Sequence, residues 1–490
     1  MKKIYRKIGF FVLIINILFL IFTNSYAENT INSSLSTNLS SSLNSNLNNN
    51  SSANLNNNLN NNSSINLNNN LNVNLSNNLN NNVSSSLPDS LNISAEACSL
   101  LDVDSGKFLC GKNEYTKMYP ASTTKLMTAI IVLEKCDDLS QKVNISYYAV
   151  HSVPYSYSIA NLFPNEQFSI KDLLNSLLIA SANDSAFALA EYVANNGNNY
   201  ALDASNDSKI AFQNSIQKFS DLMNQKAKSL GCINTNFVNP NGIHNDNHYA
   251  TAHDLALIGK YAYNNSIIRN IVTKTSGELD NTNIYNGEKR VYSLTNLLLK
   301  KGASGYYQYA NGLKTGYTDA AKYCIIASAQ KNERNLIAVV LHSENTKNAE
   351  TSRESDCKKL FEYGFNNFTS VKLVKANDTV KNLFILNGDK KSRNVKAICK
   401  NDISVLIQKG EALDVTPEIK INKFLAPISK GETLGTVTYS VYGENYTSDI
   451  IASDDVFPAD YKYVAIILAI LLLLLYLIFF VIIGKHRKNK

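Results

Sequence analysis

Between its two ends the chain carries almost no net charge. Lys2, Lys3, Arg6 and Lys7 near the start and Lys485, Arg487, Lys488 and Lys490 at the finish more than account for the formal +7, leaving −1 for everything between. Nucleic-acid binding rests on a basic face, so that class of function has no electrostatic support here. The seven cysteines, at 98, 110, 136, 232, 324, 357 and 399, include no Cys-x-x-Cys pair. An odd number cannot all pair, and most sit in apolar runs. Buried reduced thiols are therefore favoured over a disulfide framework or a metal site. Among the six histidines one spacing is suggestive, His244-Asn-Asp-Asn-His248. It lacks the adjacent glutamate of a zinc helix and lies in an Asn/Gly/Asp-rich loop, so no metal is expected.

What is present begins at the termini. Met1 to Lys7 is basic, Ile8 to Phe22 is mostly apolar and Ser25-Tyr26-Ala27 is a small-x-small site. Residues 1–27 thus read as a secretory signal peptide, the apolar stretch being short for a membrane span. Tyr463 to Gly484 is an unbroken apolar segment long enough to cross a bilayer, and the basic tail 485–490 behind it should stay in the cytoplasm. The body of the protein is expected outside the cell membrane, held by one C-terminal transmembrane helix at 463–484. Residues 28–93 are Asn, Ser and Leu with little else, too uniform to build a core, and read as a disordered spacer.

From Ser94 onward the pattern is that of folded chain. A hairpin is expected around Asp104-Ser105-Gly106, and helical runs at Lys171–Ala180, Ala186–Ala194 and Ala211–Leu230. Two strands, Tyr323–Ala329 and Leu336–Leu341, precede a closing helix that ends at Phe365. Helices around a mainly antiparallel sheet make an α+β domain over 94–368. Residues 369–455 turn short and alternating, with turns at Asn387-Gly388, Lys409-Gly410 and Lys430-Gly431, which predicts a small all-β domain with no catalytic cluster.

The chemistry is concentrated in Tyr119-Pro120-Ala121-Ser122-Thr123-Thr124-Lys125-Leu126-Met127. Pro120 suits a helix start, and the apolar run to Leu133 reads as a buried helix carrying Ser122 in its first turn. Lys125, three residues on, shares its face. A serine hydroxyl needs a base to become a nucleophile, and a desolvated lysine can be that base. The motif alone is weak, since Ser-x-x-Lys recurs at Ser215/Lys218, Ser328/Lys331 and Ser355/Lys358. Its company makes it strong: Ser181-Ala182-Asn183 follows at a helix junction and Lys314-Thr315-Gly316 at the start of a strand, the order found in penicillin-recognising serine enzymes.

Together with Asn239-Pro240-Asn241-Gly242, His248-Tyr249-Ala250-Thr251-Ala252, Gly312 to Thr318 and the helix from Arg353 to Gly364-Phe365, these motifs resemble the low-molecular-mass penicillin-binding proteins, the serine-type D-alanyl-D-alanine carboxypeptidases, over about residues 94–455. The resemblance implies a β-lactamase/transpeptidase-like catalytic domain that needs no metal or organic cofactor. The implied substrate is the peptidoglycan stem pentapeptide, with β-lactam antibiotics as covalent inhibitors. It implies Ser122 as nucleophile, Lys125 as proton acceptor beside a second cation, Lys314, Ser181 as proton relay and Asn183 as the group that holds substrate and orients Lys125. The backbone N–H groups of Ser122 and Tyr317 would form an oxyanion hole next to Gly316, and Thr315 and Arg353 would hold the free carboxylate. Three departures stand out: Asn311 where many relatives carry aspartate, a spanning helix in place of an amphipathic anchor, and the Asn-rich spacer. A serine β-lactamase would share the motifs, but no Glu-x-x-Leu-Asn type segment lies between Asn183 and Lys314. A catalytically silent wall-binding scaffold would not need every expected catalytic residue intact, as it is here.

Overall fold

The computed structural model describes residues 86–488 apart from 199–202, 283 and 345–351, so the signal peptide expected at 1–27 and most of the spacer expected at 28–93 lie outside the described residues. The chain opens with the hairpin of β1 (Ala97–Asp102) and β2 (Phe108–Lys112). A 3-10 turn, Ala121–Thr124, runs straight into α1 (Lys125–Lys135). Next come β3 (Lys142–Asn144), α2 (Tyr147–His151) and β4 (Gln167–Ser169), with β3 and β4 paired. Five helices follow: α3 (Ile170–Ile179), α4 (Asn183–Ala194), α5 (Asn206–Ser229), α6 (Ala252–Asn264) and α7 (Ser266–Val272). Ser169, Ser205, Thr251 and Asn265 start α3, α5, α6 and α7, each accepting a first-turn backbone N–H with its side chain. A ribbon of β5 (Ser276–Leu279) and β6 (Arg290–Ser293) leads to β7 (Ala310–Thr318), β8 (Lys322–Lys331), β9 (Arg334–Ser343) and α8 (Ser352–Asn367).

The main sheet has the order β2-β1-β9-β8-β7 and is antiparallel throughout. Helices cover both faces. In β9, Ile337, Val339 and Leu341 join the core built with α1, α3, α4 and α6, while Leu336, Ala338 and Val340 join a second core under α8. Side chains alternate across a strand, so a strand buried on both faces reads as one apolar run rather than an alternating one. α8 lies hard against the sheet: a Cβ on Gly364 would come within 2.7 Å of Leu336.

Residues 86–93, given to the spacer on composition, instead pack on this domain. Ser86 bridges Gly111, Leu87 and Leu91 rest on the second core and Ile93 is buried. Lys314-Thr315-Gly316 falls in the middle of β7 rather than at a strand start, because β7 begins at Ala310 under cover of Tyr307 and Tyr309. All seven cysteines are free thiols, six of them buried.

The C-terminal domain consists of β10 (Phe368–Val374), β11 (Thr379–Phe384), β12 (Asn394–Cys399), β13 (Ile403–Gln408), β14 (Glu418–Ile421), β15 (Thr433–Val441) and β16 (Glu444–Ala452). Its sheets have the orders β11-β12-β16-β15-β14 and β10-β13, closed over Val395, Ala397, Leu434, Val437 and Ile450. It meets the first domain through Lys107 Nζ and Glu444 at 2.8 Å, Arg334 Nη1 donating to the Phe368 carbonyl at 2.7 Å, and Lys409 Nζ donating to the Phe365 carbonyl at 2.9 Å. A final helix, α9 (Lys462–Lys488), contains the apolar window Val464–Val481, with mean hydropathy 3.4 and no part of it buried in the protein.

Candidate active site

Three non-glycine residues held at positive φ mark the site, Ala121 at +48° and Ser181 at +64° beside the catalytic groups and Ser156 at +75° in the cleft wall. A Cβ makes that region unfavourable, so surrounding structure must hold these residues there. Ala121 turns the chain so that Ser122 leads into α1. Two glycines allow the close approaches around it. A Cβ on Gly242 would lie 1.8 Å from the Ala121 carbonyl oxygen, and one on Gly316 would lie 2.8 Å from the Ser122 nitrogen. The middle of β7 therefore rests directly on the nucleophile turn.

Ser122, Ser181, Asn183, Thr315, Gly316, Tyr317 and Arg353 line one cleft of about 330 Å³, and Lys125 and Lys314 are fully buried beside it. A larger groove of about 470 Å³ between the two domains contains none of these groups. All nine residues singled out from the sequence are thus brought together from four separate stretches of chain.

Lys125 Nζ lies 2.9 Å from Ser122 Oγ, 2.9 Å from Asn183 Oδ1 and 2.7 Å from the Asn241 carbonyl oxygen. A neutral amine has two hydrogens and one lone pair. The two carbonyl-type oxygens can only accept, so they take the two hydrogens and leave the lone pair facing the Ser122 hydroxyl. Burial, helped by the charge of Lys314, holds Lys125 well below its ordinary pKa, with Asp184 opposing. Lys314 is itself lowered to about 7, first by burial and then by the Arg353 charge, while its Nζ donates to the Thr315 carbonyl at 2.9 Å. Asn183 is fixed from both ends: Oδ1 faces Lys125, and Nδ2 and the backbone N–H both donate to the Ser158 carbonyl. Committed in this way, its side chain does not cap α4, and Ala182 stands uncapped at that helix start.

Across the cleft, Thr315 and Thr295 share a hydroxyl contact of 2.5 Å. Arg353 donates through Nε to Glu354 at 2.9 Å and through Nη1 to the Gly316 carbonyl at 3.3 Å, with its guanidinium 5.4 Å from the Tyr323 ring. His248, read above as no zinc ligand, accepts the Val238 N–H on Nδ1 and so donates from Nε2 to Thr124 at 2.8 Å. Burial lowers its pKa to about 3, keeping the ring neutral behind the turn.

Sequence reasoning missed the loop 156–166, whose Ser156, Tyr157 and Ser158 form one wall of the cleft. No local pattern betrays it, because its supports come from far along the chain. Asp184 accepts the N–H groups of Ala160 and Leu162, and Glu166 accepts that of Phe163. Arg290, 124 residues away, pairs with both oxygens of Glu166 and donates to the Asn161 carbonyl at 2.8 Å. Removing one member of a buried pair strands the other charge. Arg290→Met is therefore expected to destabilise the protein by about 3–5 kcal/mol, read as a lowered midpoint in urea; a loss below about 1 kcal/mol would mean that this pair does not hold the wall.

The D-alanyl-D-alanine carboxypeptidase family profile matches residues 81–208 and 199–345, and that of the penicillin-binding protein 5 C-terminal domain matches residues 368–457. The chain is 32% identical over 375 residues to D-alanyl-D-alanine carboxypeptidase DacF of Bacillus subtilis, covering 75% of this chain and 87% of that one. It is 28% identical over 365 residues to DacA of Haemophilus influenzae, covering 73% and 83%. Among solved structures, penicillin binding protein 5 from Haemophilus influenzae aligns with a TM-score of 0.56 and 28% identity over 74% of this chain and 98% of that one. The resemblance carried by the motifs thus extends through both domains, and the chain belongs to the D-alanyl-D-alanine carboxypeptidases, serine hydrolases of the low-molecular-mass penicillin-binding family.

Proposed function

We propose that this chain removes the terminal D-alanine from peptidoglycan stem pentapeptides through an acyl-enzyme on Ser122, outside the cell membrane, and so limits cross-linking. The observation that carries the reading is the placing of buried Lys125 Nζ 2.9 Å from Ser122 Oγ with two carbonyl-type acceptors for its hydrogens. Lys125 takes the hydroxyl proton as Oγ bonds to the carbonyl carbon between the two D-alanines. The backbone N–H groups of Ser122 and Tyr317 stabilise the oxyanion. As the C–N bond breaks, the proton passes by way of Ser181 to the leaving amine, and D-alanine departs. Water then attacks the ester, returning the hydroxyl to Ser122 and the acid product to solvent. Asn183 orients Lys125 and the substrate backbone, and burial, with the Lys314 charge adding to it, favours the neutral form of Lys125. Thr315 and Arg353 bind the terminal carboxylate, with Gly316 leaving the strand edge open to the peptide.

α9 supports a single-pass anchor, with the signal segment at 1–27 delivering the catalytic domain across the membrane. A β-lactam presents a strained amide to the same serine and stays attached once opened. The full chain treated with benzylpenicillin and digested is expected to carry one penicilloyl mass on the peptide containing Ser122. An adduct on any other peptide would remove Ser122 from its role.

A further inference from the structure

We propose that the end of the β domain beside α9 is a lipid-contacting face, set into the boundary of the bilayer that α9 crosses. The face is built from Phe384, Leu386, Phe424, Leu425, Phe457 and Tyr461, each 48–62% exposed. Six large apolar side chains at one end of a small domain are more than scattered surface residues would supply. Backbone contacts gather them: Leu386 pairs with Leu425 and donates to the Phe424 carbonyl at 2.8 Å, and Asp389 donates to the Phe457 carbonyl at 2.8 Å. The same strands place the face away from the catalytic domain. The turn between β15 and β16 meets Lys107 at Glu444, whereas at the opposite end the Leu434 carbonyl of β15 accepts the N–H groups of Asn422 and Lys423, next to Phe424.

Position argues for lipid as the occupant. The Ala459 N–H is still hydrogen-bonded to the Asn387 carbonyl at 2.8 Å, so only Asp460 and Tyr461 separate the domain from Lys462, the first residue of α9. Three Cα steps span at most about 11 Å, which keeps the face within a headgroup layer of the membrane. Tyrosine, here Tyr461, is enriched at that level, and phenylalanine and leucine make up apolar faces that lie in it.

Charge adds little. Lys390, Lys391 and Arg393 lie in the loop between β11 and β12, with the Arg393 guanidinium 4.9 Å from the Phe384 ring. Asp389 accepts the Lys391 N–H and the Ser392 hydroxyl, and Asp460 accepts the Lys462 N–H. With both signs present, attraction is apolar and should operate on uncharged phosphatidylcholine.

The inference rests on α9 being a membrane anchor, and the test separates the two. The protein contains no tryptophan, so a single introduced one reports alone. Full-length Phe424→Trp, Phe457→Trp, Leu472→Trp and Tyr155→Trp proteins would be reconstituted into phosphatidylcholine vesicles with bromines high on the acyl chains for 424, 457 and 155, and also near the chain ends for 472, which lies at the middle of the span. Apolar faces at an interface sit about 5–10 Å into the headgroup–acyl boundary, within reach of such bromines. The expected result is blue-shifted, strongly quenched emission at 424, 457 and 472, and red, unquenched emission at the fully exposed position 155 in the catalytic domain. Quenching at 472 with none at 424 and 457 would overturn the lipid face while leaving the anchor intact. No quenching at 472 would overturn the anchor and the lipid face with it.

Discussion

Ser122→Ala is expected to lower D-alanine release from a pentapeptide ending in D-Ala-D-Ala by at least about 10⁴-fold, because removing a nucleophile removes the covalent route entirely. The change takes away one hydroxyl at the edge of the cleft and leaves the turn, the Gly316 approach and Lys125 in place. The variant should therefore melt close to the parent. That combination, intact folding with no product, is the outcome that assigns the reaction to this oxygen. Release within about tenfold of the parent would mean that another group attacks, and the mechanism through Lys125 would fall with it.

The second large effect concerns that lysine. Lys125→Arg puts a permanent cation where the neutral amine stood and cannot supply a lone pair, since guanidinium stays protonated at any working pH. Release is expected to fall by about 10³-fold or more, on the scale of losing a general base and its positioning. The parent's pH profile gives a sharper readout. The neutral amine is the active form, so kcat/KM should fall as pH drops through the lowered pKa of Lys125. The charge of Lys314 is part of what lowers that pKa, so Lys314→Met should move the acid limb toward higher pH, besides lowering activity. An acid limb that stayed where it was would show that the titrating group is not Lys125.

How much of this was legible beforehand depends on the reach of each interaction. Ser122 and Lys125 are neighbours on one turn, so their partnership could be read from spacing. Ser181, Asn183 and Lys314 needed the order of motifs, and a family resemblance, to join them. The Asn241 carbonyl lay within a loop already singled out, yet a backbone acceptor has no sequence signature of its own. Glu166, Arg290 and Asp184 were invisible because a buried carboxylate looks like any surface acid until its distant partners are known. The run Leu336–Leu341 announced a strand, but only the two cores show which residues face which helices. The opposite error occurred at residues 86–93, where an Asn/Ser/Leu composition concealed three side chains that pack on the fold.

The β domain also sets a working height. β15 and β16 are each nine residues long, and they run from the contact with the catalytic domain to the end beside α9. At about 3.3 Å per residue that is roughly 30 Å. On the proposal that α9 holds the other end at the membrane, the cleft would stand that far above the lipid, placed to meet stem peptides in the overlying wall rather than those pressed against the headgroups. Strand length in a domain without catalytic residues would then determine which layer of the wall the serine can trim.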